Sequence, residues 1–138
     1  MDDKKKKILI ADDDKTTRDL LREVFEDQQY AVFTVSDGRQ AAEWLEREEC
    51  HVLLADLRMP YLSGLQLFQG VKKSHPGVHC VLITSCIDNE VREHAEAIGI
   101  DRMFEKPVNM EQLLNCVATL VSAQASPGVL KSEPAFPA

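Results

Sequence analysis

Short apolar runs and stretches of helical periodicity alternate along this chain, and the alternation repeats five times. Ile8-Leu9-Ile10-Ala11 is the first run, rich in β-branched residues and closed by acids. Leu20, Leu21, Val24 and Phe25 then recur at helical spacing and predict an amphipathic helix over about 15–28. Ala31-Val32-Phe33-Thr34-Val35 predicts a second strand, followed by a Ser-Asp-Gly turn and a helix with Ala41, Trp44 and Leu45 on one face.

Val52-Leu53-Leu54-Ala55 is the third run, after which the chain turns through Met59 and Pro60. Ser63 and Gln66 form a capping-box pair at the head of a helix that would bury Leu67, Phe68 and Val71, and Pro76 and Gly77 stop it. Cys80-Val81-Leu82-Ile83 predicts the fourth strand, Val91, Ala95 and Ile98 the next helix, and Gly99 its end. A short fifth strand is expected near 102–105, and Asn109 is placed to cap a last helix burying Leu113, Val117, Leu120 and Val121. Strands that are apolar throughout are buried on both faces, which requires a parallel sheet covered by helices. Strand–helix alternation with crossovers of this length predicts a doubly wound α/β fold.

At 138 residues the chain has the length of one domain and can bury its own core. Hydrophobic residues at 44% and charged residues at 28% are ordinary for a globular protein. The net charge of −7 argues against nucleic-acid binding through this domain, because phosphate contacts draw on clustered Lys and Arg. The basic run at 4–7 is offset by Asp2 and Asp3 and reads as a solubilising lead-in to the first strand. No apolar stretch approaches the roughly 18 residues that span a bilayer, and the N-terminus lacks a signal peptide's apolar core. A cytoplasmic protein with no membrane contact is expected. From about Ala123 the character changes, with Pro127, Pro134 and Pro137 set among Ser, Ala and Gly. Residues 1–122 therefore read as the folded unit, and 123–138 as a Pro/Ser/Ala-rich tail or the start of an interdomain linker.

Ligands of open parallel sheets bind beyond the carboxyl ends of the strands. Those ends carry Asp12-Asp13-Asp14, Asp56, Thr84-Ser85 and Glu105-Lys106-Pro107. Several carboxylates and one ammonium thus converge on one edge, and the acids repel one another unless a cation sits among them. An all-oxygen donor set beside a phosphate suits Mg²⁺ rather than zinc. A carboxylate such as Asp56 can attack as a nucleophile and form an acyl phosphate. Lys106, the Thr84 hydroxyl and the metal would then neutralise the phosphoryl oxygens. Other candidates are weaker. Cys50, Cys80, Cys86 and Cys116 stand singly without a CxxC pair and read as buried or half-buried thiols. His51, His75, His79 and His94 lie on separate elements, pair with no Cys or Ser, and read as solvated or structural. Neither a GxGxxG nor a GxxxxGK[ST] cradle for nucleotide phosphates occurs.

At these strand ends the chain resembles the receiver domain of bacterial two-component response regulators. The matching elements are Ile8 to Asp14 with Arg18, then Asp56 with Met59, Pro60, Ser63, Gly64 and Leu65, then Thr84-Ser85, then Glu105-Lys106-Pro107. They occur in the family's order and cover roughly 6–122. The resemblance implies a (βα)5 fold whose five-stranded parallel sheet has the flavodoxin-like strand order 2-1-3-4-5. It implies that Asp56 accepts a phosphoryl group from a sensor histidine kinase or a histidine phosphotransfer protein in a phosphorelay. It also implies Mg²⁺ held by Asp13, Asp56 and the main-chain carbonyl of Arg58, with Asp12 acting through a water. Thr84 and Lys106 would contact the acyl phosphate, and Asp14 would cap the first helix.

Two positions depart from the family pattern. Met103 stands where the family usually has the Tyr or Phe that turns inward when Thr moves, with Phe104 beside it expected to face the core. Ser85 stands where Ala or Gly is usual and narrows access to Asp56. The resemblance places the output on the face formed by the fourth helix, fifth strand and last helix, toward a homodimer or a downstream output domain. The competing class is a small Mg²⁺-dependent phosphatase or phosphotransferase that works through an aspartyl phosphate. Such enzymes carry a general-acid Asp two residues after the nucleophile, where this chain has Arg58. A phospho-accepting switch is therefore expected, with at most self-catalysed phosphotransfer and autodephosphorylation.

Overall fold

The computed structural model describes residues 5–122. The tail expected at 123–138 lies outside them, as does Lys4 of the N-terminal basic run. In chain order the elements are β1 (Lys7–Ala11), α1 (Lys15–Asp27), β2 (Ala31–Val35), α2 (Gly38–Arg47), β3 (Val52–Ala55), α3 (Gly64–Ser74), β4 (His79–Thr84), α4 (Asn89–Ile98), β5 (Arg102–Glu105) and α5 (Met110–Ser122). The strands form one five-stranded sheet in the order β2-β1-β3-β4-β5, and every pairing is parallel. The fold and strand order expected from the sequence are those observed.

The period of two along each strand divides the core. Ile8, Ile10, Val52, Leu54, Val81 and Ile83 point to the face covered by α1 and α5, where Phe25, Leu113 and Val117 meet them. Leu9, Leu53, Cys80, Leu82 and Met103 point to the other face, under α2, α3 and α4, against Leu45, Phe68 and Ala95. Phe25 and Phe68 are fully buried, and each such side chain stabilises the fold by about 1.5–3 kcal/mol.

Local signals set the helix ends. Ser63 and Gln66 form the full capping box of α3, Gly99 closes α4 in the left-handed region at φ 88°, and the Asn109 carboxamide accepts from the Gln112 N–H at 3.0 Å. Two helix-face expectations need correction. Leu20, expected on the apolar face of α1, is 48% exposed, because the helix turns only Leu21 and Phe25 fully onto the sheet. In α5 Val121, expected in the core with Leu113, Val117 and Leu120, is half-buried at its margin. Phe104 likewise packs half-buried against the α1–α5 side of the core.

Candidate functional site

Parallel register brings the strand ends level. Ala11 pairs with Ala55 and Ala55 with Leu82, so the residues that leave β1 and β3 emerge side by side. The Asp56 N–H donates to the Ala11 carbonyl at 3.0 Å, and the Asp12 N–H donates to Val35 at 3.2 Å. The ladder thus extends past the formal strand ends and holds both acids firmly. Asp12 is 2% exposed, Asp56 9% and Asp13 open to solvent. One carboxylate oxygen from each of the three lies within 4.8 Å of the others.

Lys106, one residue beyond β5, reaches back across the sheet edge. Its Nζ donates to Asp12 Oδ2 at 3.0 Å and to Asp56 Oδ2 at 3.2 Å. Its N–H donates to the Thr84 carbonyl at 2.8 Å, which ties the β5 exit to the β4 exit, and the following Lys106–Pro107 peptide bond is cis. Burial works against the ammonium, but the hydrogen bonds and charges of Asp12 and Asp56 outweigh it and raise the Lys106 pKa. For Asp12 burial is the dominant influence and raises the carboxyl above its ordinary value, against the pull of the Asp14 N–H and Lys106. Two buried acids therefore share the Lys106 ammonium. The oxygen-only donor set of Asp12, Asp13 and Asp56 fits a hard divalent cation.

The other expected residues surround this centre. Thr84 is buried at the end of β4, and Ser85 next to it is exposed. Arg58 is exposed on a shallow depression that it lines with Asp13, Leu57, Met59, Pro60 and Ser63. Met103 is 9% exposed and lies in the core on the side of the sheet covered by α3 and α4. Asp14 stands at the N-cap of α1, where its carboxylate accepts from the Thr17 hydroxyl at 2.6 Å, the contact that does most to hold its pKa below the ordinary value, with the Thr17 and Thr16 N–H groups adding to it. Of the cysteines, Cys50, Cys80 and Cys116 are buried as expected, whereas Cys86 is exposed in the loop after β4. Burial pushes the Cys50 and Cys80 thiols up to about 12, so neither is a thiolate at neutral pH.

Gly64 shapes the site without any chemistry of its own. A Cβ there would collide with the Asp56 carbonyl oxygen and meet Leu82 Cδ1 at 3.1 Å. Its only sequence signal was its place in the Ser63-Gly64-Leu65 match. Arg18 was legible in the same way, as part of a motif with no stated task, and the structure shows its Nη1 donating to the Asp12 carbonyl at 2.7 Å.

Comparison with known proteins agrees with this geometry. The family model described as "Response regulator receiver domain" matches residues 8–118. Over 129 residues, 93% of this chain, the sequence is 31% identical to the hydrogenase transcriptional regulatory protein HoxA of Cupriavidus necator, of which the match covers 27%. It is 26% identical to sporulation initiation phosphotransferase F of Bacillus subtilis, over 80% of this chain and 90% of that protein. A CheY-like response regulator receiver domain protein of Methanospirillum hungatei superposes with a TM-score of 0.87 at 26% identity, over 90% of this chain and 99% of that one. The chain therefore spans about a quarter of one relative's length and nearly all of the other two.

Proposed function

The chain belongs to the response regulator receiver family, and from that premise we propose that Asp56 is the residue that takes the phosphoryl group. The observation that carries this reading is the Lys106 ammonium, seated between the buried carboxylates of Asp12 and Asp56 at 3.0 and 3.2 Å. Asp56 is held by the ladder at the end of β3 with one oxygen on Lys106, so its other oxygen is the nucleophile. That oxygen attacks the phosphorus of a phosphohistidine, an O–P bond forms as the N–P bond breaks, and the imidazole leaves with a proton. Lys106 neutralises one equatorial oxygen of the group in flight, and the Thr84 hydroxyl donates to another. Asp13, Asp56 and the Arg58 main-chain carbonyl would hold Mg²⁺, with Asp12 acting through a water, and the bound ion would add positive charge beside the phosphoryl oxygens.

The product stays on the chain, so the protein works as a switch whose only catalysis is on itself. Its donor is a sensor histidine kinase or a histidine phosphotransfer protein, and its output leaves through the α4–β5–α5 face toward a second copy or an output domain. Residues 1–122 act as the receiver, with 123–138 as tail or linker. Among the described residues no helix is long and apolar enough to cross a membrane, which supports a cytoplasmic site of action. Intact-mass measurement after incubation with acetyl phosphate and Mg²⁺ tests the acceptor. One added phosphoryl group is expected on the parent and none on Asp56→Asn. The same mass gain on the variant would refute the assignment.

A further inference from the structure

Of the three acids that leave β1, Asp13 is the one with no side-chain anchor. It is exposed, and its carboxylate makes no hydrogen bond or ion pair with any described residue. Its position is therefore set by the main chain alone. That main chain is fastened from α1. Arg18 Nη1 donates to the Asp12 carbonyl at 2.7 Å, and the Arg18 N–H donates to the Asp14 carbonyl at 3.0 Å. The Asp12 carbonyl shares one rigid plane with the N and Cα of Asp13. Fixing that carbonyl fixes the root from which the Asp13 carboxylate projects.

We propose that Arg18 is a positioning residue for cation binding, which holds the Asp13 carboxylate within reach of Asp12 and Asp56 by anchoring the Asp12 carbonyl. The inference rests on the reading of these acids as a divalent-cation site. Arg18 touches none of the three carboxylates and acts through the peptide plane. Its charge works in the opposite direction, since a guanidinium near a cation site repels the cation. Removing the charge alone would strengthen Mg²⁺ binding, whereas removing the tether weakens it. The sign of the effect therefore separates the two roles.

The test is a titration with MgCl₂, followed through the amide chemical shifts of residues 12–14, on the parent, Arg18→Met, Arg18→Gln and Asp13→Asn. Arg18→Met loses both tether and charge, and its half-saturating Mg²⁺ concentration should rise about tenfold, as for loss of other outer-shell partners. Arg18→Gln keeps a shorter donor without the charge and should show a smaller rise. If Arg18→Met does not fold in EDTA, Arg18→Gln decides by the same criterion. Half-saturation at or below the parent's value in the deciding variant overturns the proposal while leaving the cation site intact. A parent that responds no more than Asp13→Asn overturns the cation-site reading, and the role of Arg18 with it.

Discussion

Lys106→Met removes the one ammonium that the two buried acids share, and its effect can be worked out from the contacts. Asp12 is 2% exposed and Asp56 9%, so the substitution leaves both carboxylates desolvated without their partner. Removing one member of a buried ion pair costs about 3–5 kcal/mol, and the 22% exposure of the Lys106 side chain places this case near 3 kcal/mol. For a domain of this size that is a fall in Tm of about 12 °C. The deficit depends on pH with a definite sign. Burial already raises the Asp12 carboxyl above its usual value while Lys106 pulls it down, so the variant's Asp12 rises further. A carboxyl whose pKa is higher folded than unfolded loses stability as pH rises from the unfolded value through the folded one. The Tm gap between parent and variant should therefore be wide at about pH 7.5 and narrow at about pH 5. Thermal melts in EDTA at both pH values measure it. An equal gap at the two values, or no gap at all, would refute the claim that Lys106 compensates buried negative charge.

Other substitutions probe different contacts. Gly64→Ala forces a Cβ against the Asp56 carbonyl and should destabilise the fold by about 1–3 kcal/mol; it should also slow acetyl-phosphate labelling, and an unchanged urea midpoint would show that the loop yields freely. Asp101→Ala strands the Cys80 N–H, now bonded to Asp101 at 2.8 Å, at about 1–3 kcal/mol. Burial opposes the Asp101 carboxylate, but His79, the Cys80 N–H and Lys72 outweigh it and lower its pKa below 3.8. The stability this gives is present above pH 3.8 and is lost as pH falls through the folded value, so the Asp101→Ala deficit in urea midpoint should shrink in acid, in a more acidic window than that of Lys106→Met. Met103 is flexible and apolar and discriminates poorly between two positions, so Met103→Tyr should enlarge the amide-shift response of the α4–β5–α5 face to beryllofluoride; an identical response in parent and variant would make Met103 a passive core residue.

How much was legible in the sequence follows from how local each signal is. Apolar runs predicted every strand to within a residue at each end, and helical spacing placed a helix after each of them, because burial against a two-sided sheet imposes those periods on the chain itself. β2 and β3 were bounded at Val35 and Ala55 as observed. Caps read equally well at Ser63, Gly99 and Asn109, since a cap is a contact between residues three or four apart. The gathering of Asp12, Asp13, Asp56 and Lys106 followed from reading the carboxyl ends of parallel strands, but strand order came from the match of motifs to a known family, because nothing local ties β5 to β1. Where side chains share a surface, the tertiary structure decided. Leu20 has the spacing of a core residue, yet α1 buries Leu21 and Phe25 and leaves Leu20 48% exposed. Asp14 takes the N-cap place expected of it, and only the packed structure shows the Thr17 hydroxyl bound to its carboxylate. The Arg18 bond to the Asp12 carbonyl, the Gly64 contact with Asp56 and the Lys106 ammonium between two acids each depend on the spacing of packed elements. Periodicity along the chain records which face of an element is buried. It holds no record of how far apart two faces come to rest, and the chemistry of this site is set by those distances.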